Sequence, residues 1–162
     1  MRFVRFIGIE ELDVLIKTGK VKPVRGRRDC LYFFPAEGEM CDGWGNEFHT
    51  VEYRYEYVSG IVSDYYLDDR RICIVLNLNI EKTGLEQVVE TYADPEGSFW
   101  DTIGVVEYHS KKGYSIEDVV SVDIFQQKGA MSFLSLEKHF DNLLECKKWL
   151  SEIGIMIEKG KK

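Results

Sequence analysis

The stretch RICIVLNLNI, residues 71–80, places Ile72, Ile74, Leu76, Leu78 and Ile80 at every second position. Side chains alternate across a β-strand, so this run lays five aliphatic groups on one face of a sheet. Such a face has to be buried against another layer. The chain is therefore required to build a sheet with one covered side, and other segments have to supply the cover.

The first candidates lie at the amino end. RFVRFIG carries Phe3, Val4, Phe6 and Ile7 in a short apolar run and reads as a first strand. IEELDVLIKTG follows, with Ile9, Leu12, Leu15 and Ile16 on one helical face, acids in the first turn and Gly19 able to close the helix. KVKPVRGRR, residues 20–28, is a loop with five basic residues and no acid, most simply a solvated segment. DCLYFFP, ended by Pro35, reads as a buried strand. The loop AEGEMCDGWGNE comes next. Residues 48–66 read either way: VEYRYEYV alternates, but Phe48, Val51, Tyr55, Val58, Val62, Tyr65 and Tyr66 hold a helical spacing for longer, against Gly60. Helix is the expectation there.

After the alternating strand, Thr83 and Glu86 have capping-box spacing ahead of GLEQVVETYA, with Pro95 beyond, and predict a helix. SFWDTIG reads as a loop, VVEYH as a strand, Ser115 with Asp118 as a capped turn, and VVSVDIF as a returning strand. Leu136, Phe140, Leu143, Leu144, Leu150 and Ile153 share one face and predict a C-terminal helix over 134–153, closed by Gly154, with residues 155–162 as a frayed basic tail. The expected fold is one α+β domain over residues 1–162, a mixed or antiparallel sheet with flanking helices.

A net charge of −7 argues against generic nucleic-acid binding, which needs cations on phosphates. No apolar run is long enough to span a bilayer, and the amino end lacks the pattern of a signal peptide, so the expected location is the cytoplasm. Cys30, Cys41, Cys73 and Cys146 form no C-x-x-C pair, which points to reduced thiols. Cys41 and His49 flank one loop, but two donors do not make a zinc site, and no metal is expected.

Three polar residues interrupt the apolar runs: Arg5 in the first strand, Tyr32 between Leu31 and Phe33, and Glu107 in VVEYH. A charge inside such a run is costly if it points inward unpaired, so outward positions, or mutual pairing at a sheet edge, are the simplest placement. His109 shares a strand face with Glu107. The order of these features resembles the ADP-ribosyltransferase superfamily. There a first strand carries Arg or His, a helix closing in a Gly-hydrophobic step follows, a second strand carries Ser, Thr or Tyr, and a catalytic Glu begins a late strand. The likeness covers residues 3–35 and 104–125 and is nearest to DarT-type toxins.

The resemblance implies NAD as co-substrate, no metal, and an unknown acceptor. Arg5 would hold the pyrophosphate or ribose, a task suited to a permanently charged fork of donors. Tyr32, with Phe33 or Phe34, would wall the nicotinamide. Glu107 would stabilise the oxocarbenium-like charge as nicotinamide leaves. Phe99, Trp100 and Asp101 would meet the target. Val105 stands where arginine-modifying relatives carry Glu or Gln, and Ile116 where the family has Pro. The alternative expectation is a non-enzymatic acidic binding protein, for example an inhibitor in phage or host defence. Its acids Glu37, Glu39, Asp42 and Glu47, around Trp44, would enter a partner's basic groove.

Overall fold

The computed structural model describes residues 2–24, 30–35, 65–93, 102–127 and 134–155. The elements run β1 (Arg2–Ile7), α1 (Ile9–Thr18), β2 (Lys20–Val21), β3 (Leu31–Pro35), β4 (Ile72–Asn79), β5 (Glu86–Ala93), β6 (Thr102–Ser110), β7 (Tyr114–Ser115), β8 (Val119–Gln127), β9 (Leu134–Phe140) and α2 (Leu143–Glu152). Short 3-10 turns lie at Lys82–Gly84 and Ile116–Asp118. Seven strands form one sheet in the order β5-β6-β3-β1-β4-β8-β9, and β2 pairs with β7 alone. Each neighbouring pair is antiparallel.

The alternating stripe is strand β4, between β1 and β8. Ile72, Ile74, Leu76 and Leu78 join Phe3, Ile7, Phe33, Tyr108, Val122 and Ile124 on one sheet face. Leu12 and Leu15 of α1 and Leu143, Cys146 and Leu150 of α2 cover that face and belong to the same core. Asp13 ties the two helices together by accepting from Lys147 at 2.6 Å, and it also accepts from Lys17 of its own helix at 2.7 Å. The opposite face is buried at its centre too, through Val4, Phe6, Phe34, Cys73, Val75 and Phe125. Burial pushes the thiols of Cys73 and Cys146 up to about 12, so both stay protonated and unreactive.

The expected α+β architecture holds, with an antiparallel sheet; the helix α1 also matches its expectation. Gly19 ends α1 in a left-handed conformation, φ 76°, with its N–H donated to the Leu15 carbonyl. The Ser115 turn also forms, with the Asp118 carboxylate accepting from the Ser115 N–H and hydroxyl.

Two expected helices are corrected. GLEQVVETYA is not helical: β5 pairs with β6 along its whole length. Val88, Val89, Thr91 and Tyr92 favour a pleated strand, and an available neighbour outweighs the capping-box spacing. The predicted helix over 134–153 is a strand and a helix. Residues 134–140 pair with β8, and the helix starts only where the Asn142 side chain accepts from the Leu144 N–H at 2.8 Å. SFWDTIG is also shortened as a loop, because β6 begins at Thr102. Most of the predicted helix over 48–66, together with Cys41, His49, the acids around Trp44 and the tail from 156, lies outside the described residues; at its end Tyr65 is in a turn.

Among the described glycines, the one in the β6–β7 turn has the closest backbone neighbour. Gly113 has φ 81°, and a Cβ placed there would lie 1.9 Å from the Val21 carbonyl oxygen. Gly113→Ala is expected to cost about 3 kcal/mol, combining left-handed strain with displacement of β2. Urea unfolding checks this; an unchanged midpoint would mean that β2 and β7 do not pack in this way.

Candidate functional site

Arg5 points into the helix-covered face. It lies between Phe3 and Ile7, which belong to that core, and opposite Leu76 of β4. Its side chain is almost wholly buried. Nε and Nη2 donate to the two carboxylate oxygens of Glu11 on α1, at 2.8 and 2.7 Å. Nη1 donates to the Tyr32 carbonyl at 2.9 Å. The rings of Phe33 and Tyr114 lie 5.8 and 5.9 Å from the guanidinium carbon. The Tyr114 hydroxyl completes the group by donating to Glu11 at 2.7 Å.

The backbone explains this position. β1 and β3 pair only at Phe3–Pro35 and Val4–Phe34. Past Val4 the Arg5 guanidinium reaches across to the Tyr32 carbonyl of β3. Burial opposes the charged guanidinium, but the Glu11 hydrogen bonds and charge outweigh it and hold its pKa above the ordinary value. Burial first, and then the Glu11 charge, raise the Tyr114 hydroxyl well above its usual range.

Glu107 lies on the other face. Its neighbour Tyr108 meets Phe3 in the helix-side core, with ring centroids 5.1 Å apart. Strand alternation therefore turns Glu107 and His109 away from that core. Glu107 is 2% exposed, and its Oε2 is 3.1 Å from His109 Nε2. His109 in turn meets Tyr32 edge-on, centroids 4.5 Å apart. Glu107 is also well inside β6, opposite Val88, and does not begin the strand.

The expected constellation thus divides. Tyr32 and Glu107 share one face with His109, while Arg5 is on the other side of the sheet. Phe33 and Phe34 divide likewise: Phe33 packs against Phe3 and Tyr114, and Phe34 against Phe6. Neither the outward placement nor the mutual pairing expected for Arg5 and Glu107 occurs, since each is buried with a different partner. Phe99, Trp100 and Asp101 lie outside the described residues. Glu11 and Tyr114 were not singled out in the sequence. Glu11 looks like an ordinary first-turn acid, and only the crossing of α1 over β1 brings it to Arg5.

A second carboxylate–histidine group occupies the Glu107 face at its far edge. His139 of β9 has Nδ1 2.5 Å from Asp123 and Nε2 3.1 Å from Asp141. Asn77 donates to Asp123 at 2.7 Å and to Ser121 at 3.0 Å. The strands β3, β1 and β4 separate this group from Glu107. Among the described residues, no three or more His, Cys, Asp or Glu side chains are grouped to hold a metal ion.

Two measurements check these networks. Glu11→Ala is expected to cost about 3 kcal/mol, since it leaves the Arg5 charge buried, and Tyr114→Phe about 1 kcal/mol; a loss below about 0.5 kcal/mol for Glu11→Ala would contradict the clasp. The hydrogen bond to Asp123, and then that to Asp141, raise the His139 pKa above its ordinary 6.5. Its contribution is therefore complete below that value and is lost as pH rises through the folded-state value. The stability difference between wild type and His139→Gln should shrink from mildly acidic to alkaline pH, and by less in high salt because the ring is half exposed. A difference independent of pH would remove the ion pairs from the argument. Compared with protein-family models, curated proteins and solved structures, the chain matches none.

Proposed function

We propose that this protein acts by binding a basic partner through an acidic surface, without catalysing ADP-ribose transfer. The observation that carries the reading is the clasped state of Arg5. Its donors go to Glu11 and the Tyr32 carbonyl, inside the core and away from Glu107. A pyrophosphate at Arg5 would have to displace Glu11, leave that partly buried carboxylate beside an anion, and open the sheet–helix contact. A net charge of −7 supports a cationic partner, because complementary charge speeds encounter and rejects acidic competitors. The proposed setting is the cytoplasm. Among the described residues no helix is long and apolar enough to cross a membrane.

One observation favours a second reading. Glu107, His109 and Tyr32 form a carboxylate–imidazole–phenol group on a single face, with the carboxylate buried and the two rings partly so. NAD-dependent transfer or hydrolysis would then run on Glu107 with no help from Arg5, using NAD and an unidentified acceptor.

Incubation with NAD, followed by proton NMR, separates the two. The binding reading expects no nicotinamide release by either wild type or Glu107→Gln. Release by wild type that is lost in Glu107→Gln would overturn it and establish the NAD chemistry.

A further inference from the structure

A groove of about 360 Å³ opens on the helix side, at the corner where α1, the Ile116 turn and the start of α2 meet. Its walls are apolar: Ile16 from α1, Ile116 and Val119 from the turn and β8, and Leu143 and Leu144 from α2. Two of these reach the mouth. Ile116 is 36% exposed and Leu144 62%. An exposed leucine beside the N-cap of a helix whose buried face is already supplied by Leu143, Cys146 and Leu150 is not needed for the core.

The rim is acidic. Asp141, 89% exposed, lies in the lining itself. Glu117 and Asp118 follow Ile116 in the same turn, and Glu145 follows Leu144. The cations nearest on the helices are largely committed, since Lys17 and Lys147 both bind Asp13. Lys148, one turn along from Leu144, is exposed as well. Asp118 is held by the Ser115 N–H and hydroxyl and Asp141 meets His139, which leaves the exposed Glu117 and Glu145 as the carboxylates available beside the apolar slot; such a slot selects for an apolar side chain carried between cations.

We infer that this groove docks a basic amphipathic segment of a partner protein, with one aliphatic or aromatic anchor inserted between Ile116 and Leu144 and flanking Lys or Arg against Glu117 and Glu145. The inference rests on the binding reading above and adds to it the location and the partner chemistry. Ile16, Val119 and Leu143 form the apolar floor that desolvates the anchor, and the carboxylates steer and orient the segment. The contact is salt-sensitive in its rate of formation and depends on the leucine for its lifetime.

The test uses the full-length chain, labelled with nitrogen-15, and a synthetic amphipathic Leu/Lys helical peptide as probe. A Leu/Glu peptide of the same pattern and a Gly/Lys peptide of equal charge are the controls. Amide shifts from the Leu/Lys peptide should concentrate at Ile16, Ile116, Val119, Leu143 and Leu144, with neither control reproducing them. Leu144→Asp separates burial from charge, because it adds an attractive carboxylate while removing the apolar contact. It should weaken the Leu/Lys peptide about tenfold, the scale of losing one buried leucine contact. Unchanged or tighter binding in Leu144→Asp, or shifts scattered over the acidic surface, would overturn the groove while leaving the binding reading intact. A dimer of the wild type, seen by sedimentation and dispersed by Leu144→Asp, would also overturn it, by assigning the groove to a second copy of the chain. Nicotinamide release in the NAD experiment would remove the binding reading itself.

Discussion

The Arg5–Glu11 clasp is the interaction on which the other contacts are arranged. A charged guanidinium in the middle of a buried strand is tolerable only if its donors are satisfied. Glu11 supplies two acceptors and the opposite charge, and the Tyr32 carbonyl a third acceptor. The same three hydrogen bonds join β1 to the helix that follows it and bridge the point where β1 and β3 stop pairing. Tyr114, from the far side of the sequence, closes the network by donating to Glu11, so β7 and its partner β2 are held over the same spot. A stability-neutral apolar pair would fill this volume as well. The polar version instead specifies how α1 crosses the sheet, because the two carboxylate oxygens meet the guanidinium in only one orientation.

The clasp also shapes the functional argument. A residue that looks in the sequence like an anion holder is occupied by the fold's own carboxylate. What remains on the opposite face is a row with Glu107 and His109 at one side, the buried Val4, Phe6, Phe34 and Val75 in the middle, and Asp123 with the half-exposed His139 at the other. Each carboxylate there meets an imidazole. The helix side, by contrast, leaves an apolar groove between acidic residues. Both sides of the sheet hold paired polar groups, the Arg5–Glu11–Tyr114 clasp on the helix side and the carboxylate–imidazole pairs on the other.

Where local patterns had a unique solution, the residues alone were enough. The alternation of Ile72 to Leu78, the amphipathic stripe of α1 with Gly19 after it, and the Ser115–Asp118 turn were all legible. The failures have a common cause. Residues 84–93 and 134–140 carry β-branched, aromatic or spaced apolar residues that suit either period over a short run. Their state was decided by the open edges of β6 and β8, which no local window contains. The site was legible only as a set of unusual residues: Arg5, Tyr32, Glu107 and His109 all proved to be buried or partly buried and engaged. Their grouping was not, because strand parity within one strand is local, whereas which face of a sheet another strand's odd residues occupy depends on register.

The sequence by itself therefore determined that there is a sheet with one strongly apolar face, an amphipathic helix to cover it, and an acidic exterior. Those follow from periodicity and charge, which are properties of neighbours along the chain. Only the tertiary structure decided that Arg5 and Glu107 lie on opposite faces, that Glu11 meets Arg5, and that Ile116 and Leu144 frame an acidic-rimmed groove. Each of these depends on pairing register and on the helix crossing, where residues far apart in sequence are brought within a few ångströms. A one-residue slip would have reversed which side chains faced the helices.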